Sequence, residues 1–249
     1  GEGTTVPFTL YLLQNLRMNP ATFFADAQPT WEHGIRFLWG PRREFYYTFL
    51  PQLAVKLRGL EQNSGFYFGD ETQDVSDSSF WTAACARNKV FPKRADGWPD
   101  LAAMGQTAFH IENKKLVGYL EGPCLDLGVE IVDATVKDTV VDGDRVMALR
   151  LESGELVTAD LFVDASGFRS ELLGRALGEP FEDYSNVLFC DRAVIGGWPR
   201  TTEPIQPYTV AETMDAGWSW RIDHEHHVNR GYVYCSSAIS DEQALEEFR

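Results

Sequence analysis

Apolar positions near the start of the chain recur at helical spacing. Phe8, Leu12 and Leu16 lie four apart, Phe23 and Phe24 follow, and Pro7 stands where a first helical turn tolerates it, so residues 6–28 read as helical. From Trp31 to Phe49 the pattern becomes aromatic and alternating ("IRFLW", "EFYYTF"), which reads as sheet. Residues 60–105, rich in Gly, Asp and Ser around a "WPD" turn, read as irregular, a lid or an insertion. Residues 108–136 read as a helix, Gly128, and a strand over 129–136. An alternating meander follows, with hairpin turns at Asp142-Gly143 and Ser153-Gly154. It ends in an apolar strand "LFVDA" (161–165), a tight turn at Ser166-Gly167 and a helix "RSELLGRAL". Near the end, Ser240 caps a helix whose first turn carries Asp241 and Glu242.

Composition narrows the classes. With 249 residues, 44% of them hydrophobic, there is enough apolar material for one large domain or two small ones. Lys+Arg number 22 against 37 Asp+Glu, and a net charge of -15 disfavours nucleic acid or an anionic membrane surface as partner. The four cysteines are far apart with no CxxC, which points to a reducing compartment rather than disulfides or zinc. No uncharged apolar run is long enough to span a bilayer and no basic-then-apolar leader opens the chain, so the cytoplasm is the expected location.

Three features bear on chemistry. The strand–turn–helix at 161–177 would present free N–H groups and a helix N-terminus to an anion, as nucleotide-binding α/β folds do, although any βα unit has this form. "GWSWRID" (217–223) places Trp218 and Trp220 on one side of an extended, loop-like segment, where a core role is the plainer reading. His224, His226 and His227 lack the i, i+4 spacing of a helical zinc pair and read as a solvated loop, and His110 reads as the start of a helix; no metal is expected.

Taken together, "GEGTTVP", "HGIRFLW", "FHIENKKLVGYL", "ADLFVDASGFRSELL", "YSNVLFCDRAV" and "PYTVAETMDAGWSWRI" followed by "RGYVYCSS", in that order, resemble the flavin-dependent tryptophan halogenases, within the FAD-dependent monooxygenase superfamily. The resemblance implies an α/β fold with a glutathione-reductase-like nucleotide-binding sheet and an aromatic-rich substrate region. It implies that 1–29 and 106–180 form the FAD-binding part and 30–105 and 181–249 the substrate side. Gly1, Glu2, Gly3, Thr4, Asp164, Ser166 and Gly167 would bind the cofactor, while Trp218, Trp220 and Ile222 would shield the flavin from substrate. The implied activity is halogenation of an aromatic, possibly indole-type, substrate by hypohalous acid made from halide, O2 and reduced FAD, the last supplied by a separate flavin reductase. A monooxygenase or oxidase on the same scaffold, or an inactive binding protein, are the other classes the residues allow.

The sequence departs from the family pattern in ways that matter. The glycine-rich phosphate loop and the helical C-terminal part that the family carries are expected beyond the two ends. Aligning Gly34-Ile35-Arg36-Phe37 places Glu32 where the family has its catalytic Lys, and a carboxylate cannot polarise hypohalous acid as an ammonium does. Neither Lys56 nor Lys89 is placed in the site by its local pattern, and the plainer expectation for Glu32 is a surface acid in an irregular region.

Overall fold

The computed structural model describes residues 2–40, 43–49, 80–91, 95 and 107–249; Gly1, Lys56 and most of the stretch read as irregular, 60–105, lie outside the described residues. The helical opening divides into α1 (Val6–Leu10), which runs on into a wider π turn over Tyr11–Asn15, and α2 (Pro20–Asp26). Arg17 takes a positive φ of 52° in the break, and Asn19 caps α2 by accepting from Ala21 N at 2.9 Å. The aromatic stretch forms β1 (Thr30–Glu32), β2 (Gly34–Leu38) and β3 (Phe45–Thr48). Within the stretch expected to be irregular, Phe80–Ala86 is a helix, α3. His110 is not the start of a helix. It ends β4 (Ala108–His110), and α4 (Asn113–Asp126) begins three residues later.

Two compact units emerge, residues 1–123 with 189–249, and residues 124–188. In the second, β5 (Val136–Asp142), β6 (Arg145–Leu151) and β7 (Leu156–Val157) form the expected meander, with Gly143 and Gly154 at positive φ in the two turns. Neither apolar segment flanking it is a strand. Residues 129–135 precede β5 without strand structure, and 161–165 have no ladder among the described residues, with Leu161 and Val163 exposed. Apolar content favours a strand only where a neighbour completes a ladder of backbone bonds, and among the described residues only the Glu152 N to Thr135 O bond (3.0 Å) reaches these segments from the meander.

The first unit is built on a six-stranded sheet of order β3-β2-β9-β10-β11-β8, where β8 is Arg192–Pro199, β9 Thr209–Met214, β10 Gly217–Asp223 and β11 His227–Tyr234. All pairings are antiparallel except β2 with β9. The helix α5 (Asp241–Phe248) opens with a complete Ser240–Gln243 capping box, and its Ala244 packs on Tyr232 and Tyr234 of β11. A second core gathers Leu12, Phe23, Phe109, Ile111 and Tyr119, with Phe23 meeting Phe24, Phe109 and Tyr119 edge-on at 5.4–5.6 Å.

Between β1 and β2, His33 is buried against Trp81 of α3 and Phe91, with ring centroids 4.7 and 5.5 Å away. Its Nε2 donates to Val90 O at 3.1 Å, while Nδ1 has no hydrogen-bond partner among the described residues. Burial lowers its pKa from 6.5 to about 4, so the native state keeps His33 neutral in a range where the unfolded chain takes up a proton. Stability therefore rises with pH between about 4 and 6.5 and is lost as pH falls through that window, by on the order of 3 kcal/mol at full effect. Urea unfolding of His33→Gln at pH 4 and pH 7 should show that part of the acid sensitivity removed. An unchanged pH dependence would mean that another group sets it.

Candidate functional site

One face of the six-stranded sheet carries a row set by register alone. Phe37 lies beside Ala211, Ala211 beside Trp220, Trp220 beside Gly231 and Gly231 beside Ile195, across five strands. Large and small residues alternate along the row. Trp220 lies over Gly231, where any Cβ would come within 2.1 Å of its six-membered ring. Trp218, two residues earlier on the same face, meets Trp220 at 6.2 Å with planes tilted by 56°. The segment is therefore a central strand rather than a loop, and its indoles form a wall with Trp218 38% exposed, not a sealed core.

In front of this wall lies a chamber of about 770 Å³ lined by Ile35, Phe37 and Trp39 of the β2 region, Thr209 and Ala211 of β9, Trp218, Trp220 and Ile222 of β10, and Glu2 and Gly3 at one edge. That volume falls in the range of small-molecule and cofactor sites. The segment from Glu2 to Thr4 is tied there by backbone bonds from Thr4 N to Phe109 O (3.0 Å) and from Ile111 N to Glu2 O (2.8 Å).

Glu32 is not a surface acid. It is 3% exposed, because β1 pairs with β4 and strand alternation turns Glu32 and His110 to one side while Trp31 and Phe109 join the aromatic core. Its Oε1 accepts from Thr209 Oγ1 at 2.8 Å and lies 3.2 Å from His110 Nε2, and Oε2 accepts from Thr4 N at 3.3 Å. His110 Nε2 is also 2.8 Å from Thr209 Oγ1, so the three side chains form one network, and Thr209 is in addition one of the residues that line the chamber. No lysine or arginine bonds Glu32 among the described residues; neutral donors and an imidazole satisfy the buried carboxyl.

A second acid–imidazole pair stands at the chamber's edge. Glu2 Oε2 accepts from His224 Nε2 at 3.0 Å and from Asn229 Nδ2 at 2.5 Å. Burial pushes the Glu2 carboxyl up, but these bonds and the nearby imidazoles outweigh it and leave the pKa lowered. His224, expected in a solvated loop, is 1% exposed and stacks on His227 at 4.6 Å; its pKa is lowered, chiefly by burial, against the pull of Glu2. Spacing within "HEHH" held no sign of this, because the partner is 222 positions away.

In the other unit, Asp164, Ser166 and Gly167 form one turn. Asp164 accepts from Ser166 Oγ (2.6 Å) and from the backbone N–H groups of Ser166, Leu172 and Leu173, so both oxygens are used in holding the turn and the short helix Glu171–Ala176. The Ser166 hydroxyl and these amides hold the Asp164 pKa well below the usual carboxylate range. Gly167 has φ of 68°, a left-handed geometry that favours glycine. Among the described residues, no group of three or more His, Cys, Asp or Glu could hold a metal ion, and no helix is long and apolar enough to cross a membrane.

The α/β architecture with its mixed sheet is shared with solved flavin-dependent halogenases. MibH, a lathipeptide tryptophan 5-halogenase, superposes with a TM-score of 0.84 at 35% identity, over 99% of this chain and 47% of its own. BrvH, a flavin-dependent halogenase from Brevundimonas sp. BAL3, gives 0.84 at 28% identity, over 99% of this chain and 50% of its own. Tryptophan 6-halogenase ThaL of Streptomyces albogriseolus is 30% identical over 190 residues, 74% of this chain and 36% of that protein. The tryptophan halogenase family model matches residues 1–249, and the chain belongs to that family. It spans about half the length of the two solved structures.

Because the Trp220 ring fills the space above Gly231, Gly231→Ala should displace the indole and cost about 1–3 kcal/mol of stability. Gly118→Ala, in open space on α4, should cost nothing and can stabilise. Near-ultraviolet circular dichroism checks the geometry: the signal of the tilted indole pair should change only in the Gly231 variant. An unchanged spectrum there would place the ring elsewhere.

Proposed function

We propose that the protein is an FAD-dependent halogenase acting on an aromatic, possibly indole-type, substrate, with reduced flavin delivered by a separate reductase. The observation carrying this reading is the wall of Trp218, Trp220 and Ile222 facing an apolar chamber, in a chain of the tryptophan halogenase family. The chamber fits a flat heteroaromatic group. One wall is a sheet face with an indole laid over a glycine, and Glu2 and Gly3 edge it without filling it. In this reading Gly1, Glu2, Gly3 and Thr4 hold the ring of FAD. Ser166 and Gly167 face the dinucleotide in a turn that Asp164 keeps in shape. When bound, reduced FAD supplies the activation of O2 that turns halide into hypohalous acid. The indoles and Ile222 exclude water and keep the substrate from the flavin. A cytoplasmic location agrees with four free cysteines.

Glu32 limits this activity. It stands at the position of the family's catalytic Lys, and its bonds to Thr209, His110 and Thr4 favour a second reading, a monooxygenase or a binding protein without halogenation. Halogenation by the protein, assayed with reduced FAD, O2 and chloride or bromide on tryptophan, should be very slow. Glu32→Lys, with its fold checked by circular dichroism, should raise the rate by about two to four orders of magnitude. Brisk wild-type halogenation that ignores Glu32→Lys would assign the amine's role to another residue. Silence in both forms would favour the second reading.

A further inference from the structure

The segment from Glu2 to Thr4 is held from two sides. Its backbone is bonded to β4 and to Ile111. The Glu2 side chain crosses instead to the β10–β11 hairpin, where His224 Nε2 (3.0 Å) and Asn229 Nδ2 (2.5 Å) donate to its Oε2. Glu2 and Gly3 line the chamber, so these two bonds fasten part of its edge to the hairpin. The His224 ring lies on the His227 ring, with centroids 4.6 Å apart and planes 29° from parallel. On the far side of the pair, Glu112 Oε1 is 3.8 Å from His227 Nδ1. His224 is almost fully buried, and its Nδ1 has no hydrogen-bond partner among the described residues. Two imidazoles face to face do not both carry a charge cheaply, and burial favours the neutral form of each. A neutral imidazole still donates from Nε2, so Glu2 stays bonded without a charge on His224.

We propose that His224, stacked on His227 and bonded to Glu2, is a proton-operated clasp on the chamber's edge, closed while the imidazoles are neutral and released when His224 takes up a proton from solvent. In the closed form, burial holds the His224 pKa below its ordinary 6.5, against the pull of Glu2, and the ordinary value returns once the turn reaches water. The released form therefore binds the proton more tightly, and release is favoured as pH falls below about 6.5. Glu2 acts in the same direction at lower pH. Burial pushes its carboxyl up, but the bonds from His224 and Asn229 outweigh this, so the closed form holds Glu2 ionised and its protonation below 4.5 also favours release. Other charges bear on the pair. His110 of β4, with Glu32 against it, faces His224. Asp223 precedes His224 in the chain and is engaged by Arg221 and the Gln206 amide, while Glu225 and His226 complete the turn. Lys115 Nζ lies 2.5 Å from Glu112 Oε1 and offsets the pull of that acid on His227.

Hydrogen exchange resolved by NMR tests this at two amides: Ile111, which donates to Glu2 O at 2.8 Å, and His224, which donates to His227 O at 2.9 Å. With the intrinsic rate corrected, protection at both should fall at least about 3-fold between about pH 7.5 and about pH 5, part of the roughly 30-fold that full release of one imidazole allows. The Ala27 amide, bonded to Phe23 O at 3.0 Å in the aromatic core, should keep its protection, which separates release from the acid unfolding ascribed to His33. His224→Gln keeps an N–H donor without a titrating group, so its protection at Ile111 should match the wild type at about pH 7.5 and persist at about pH 5. His224→Ala should lose it at both. If neither variant folds, the ring signals of the wild-type protein decide: His224 should carry its proton on Nε2 and stay mostly neutral at about pH 6.5, where a free imidazole is half charged. Equal protection at both pH values, a matching loss at Ala27, an acid response retained in His224→Gln, or a His224 ring already charged at neutrality would overturn the proposal. No flavin, halide or turnover enters these measurements, so their failure is separate from a failure of the halogenase reading.

Discussion

The site depends on how side chains of unequal size are ordered across the sheet. An indole cannot lie over its own sheet unless the neighbouring strand yields the space, and Gly231 yields it to Trp220. On the other side Ala211 keeps a methyl group beside the ring, and Phe37 and Ile195 close the ends of the row. The alternation leaves a broad apolar surface with a cavity above it rather than a packed layer, which is unusual for close-packed interiors and marks a place built for a ligand.

The same register logic buries Glu32. Strand alternation sends Trp31 and Phe109 into the aromatic core, and it necessarily sends Glu32 and His110 the other way, behind the chamber. A carboxyl group in that place is tolerable because Thr209, His110 and the Thr4 amide supply hydrogen bonds, and Glu2 is supported likewise by His224 and Asn229. The segment around Glu2 thus links core, acid network and chamber edge in three residues, with its backbone bonded to β4.

These features separate what the chain shares with its family from what is its own. The α/β fold matches solved flavin-dependent halogenases at a TM-score of 0.84. Glu32 is held in place by its bonds to β9, to β4 and to the segment around Thr4, which together accommodate a buried acid.

Local pattern alone determined much of this. Aromatic alternation marked β2 and β3, glycine turns marked the β5–β6–β7 meander, Ser240 marked the start of α5, and ordered motifs marked the family. These are short-range signals, carried by residues a few positions apart. The same signals failed where pairing was required, because the apolar runs at 129–135 and 161–165 found no ladder among the described residues. His110, His224 and Glu32 were misjudged for a related reason: their environments come from residues 99, 222 and 177 positions away. The sequence names Trp218 and Trp220 as a pair on one side of a strand. Only the register of five strands decided that a glycine would lie under one of them and that an acid would wait behind the wall, because distant partners, not neighbours, set burial and charge.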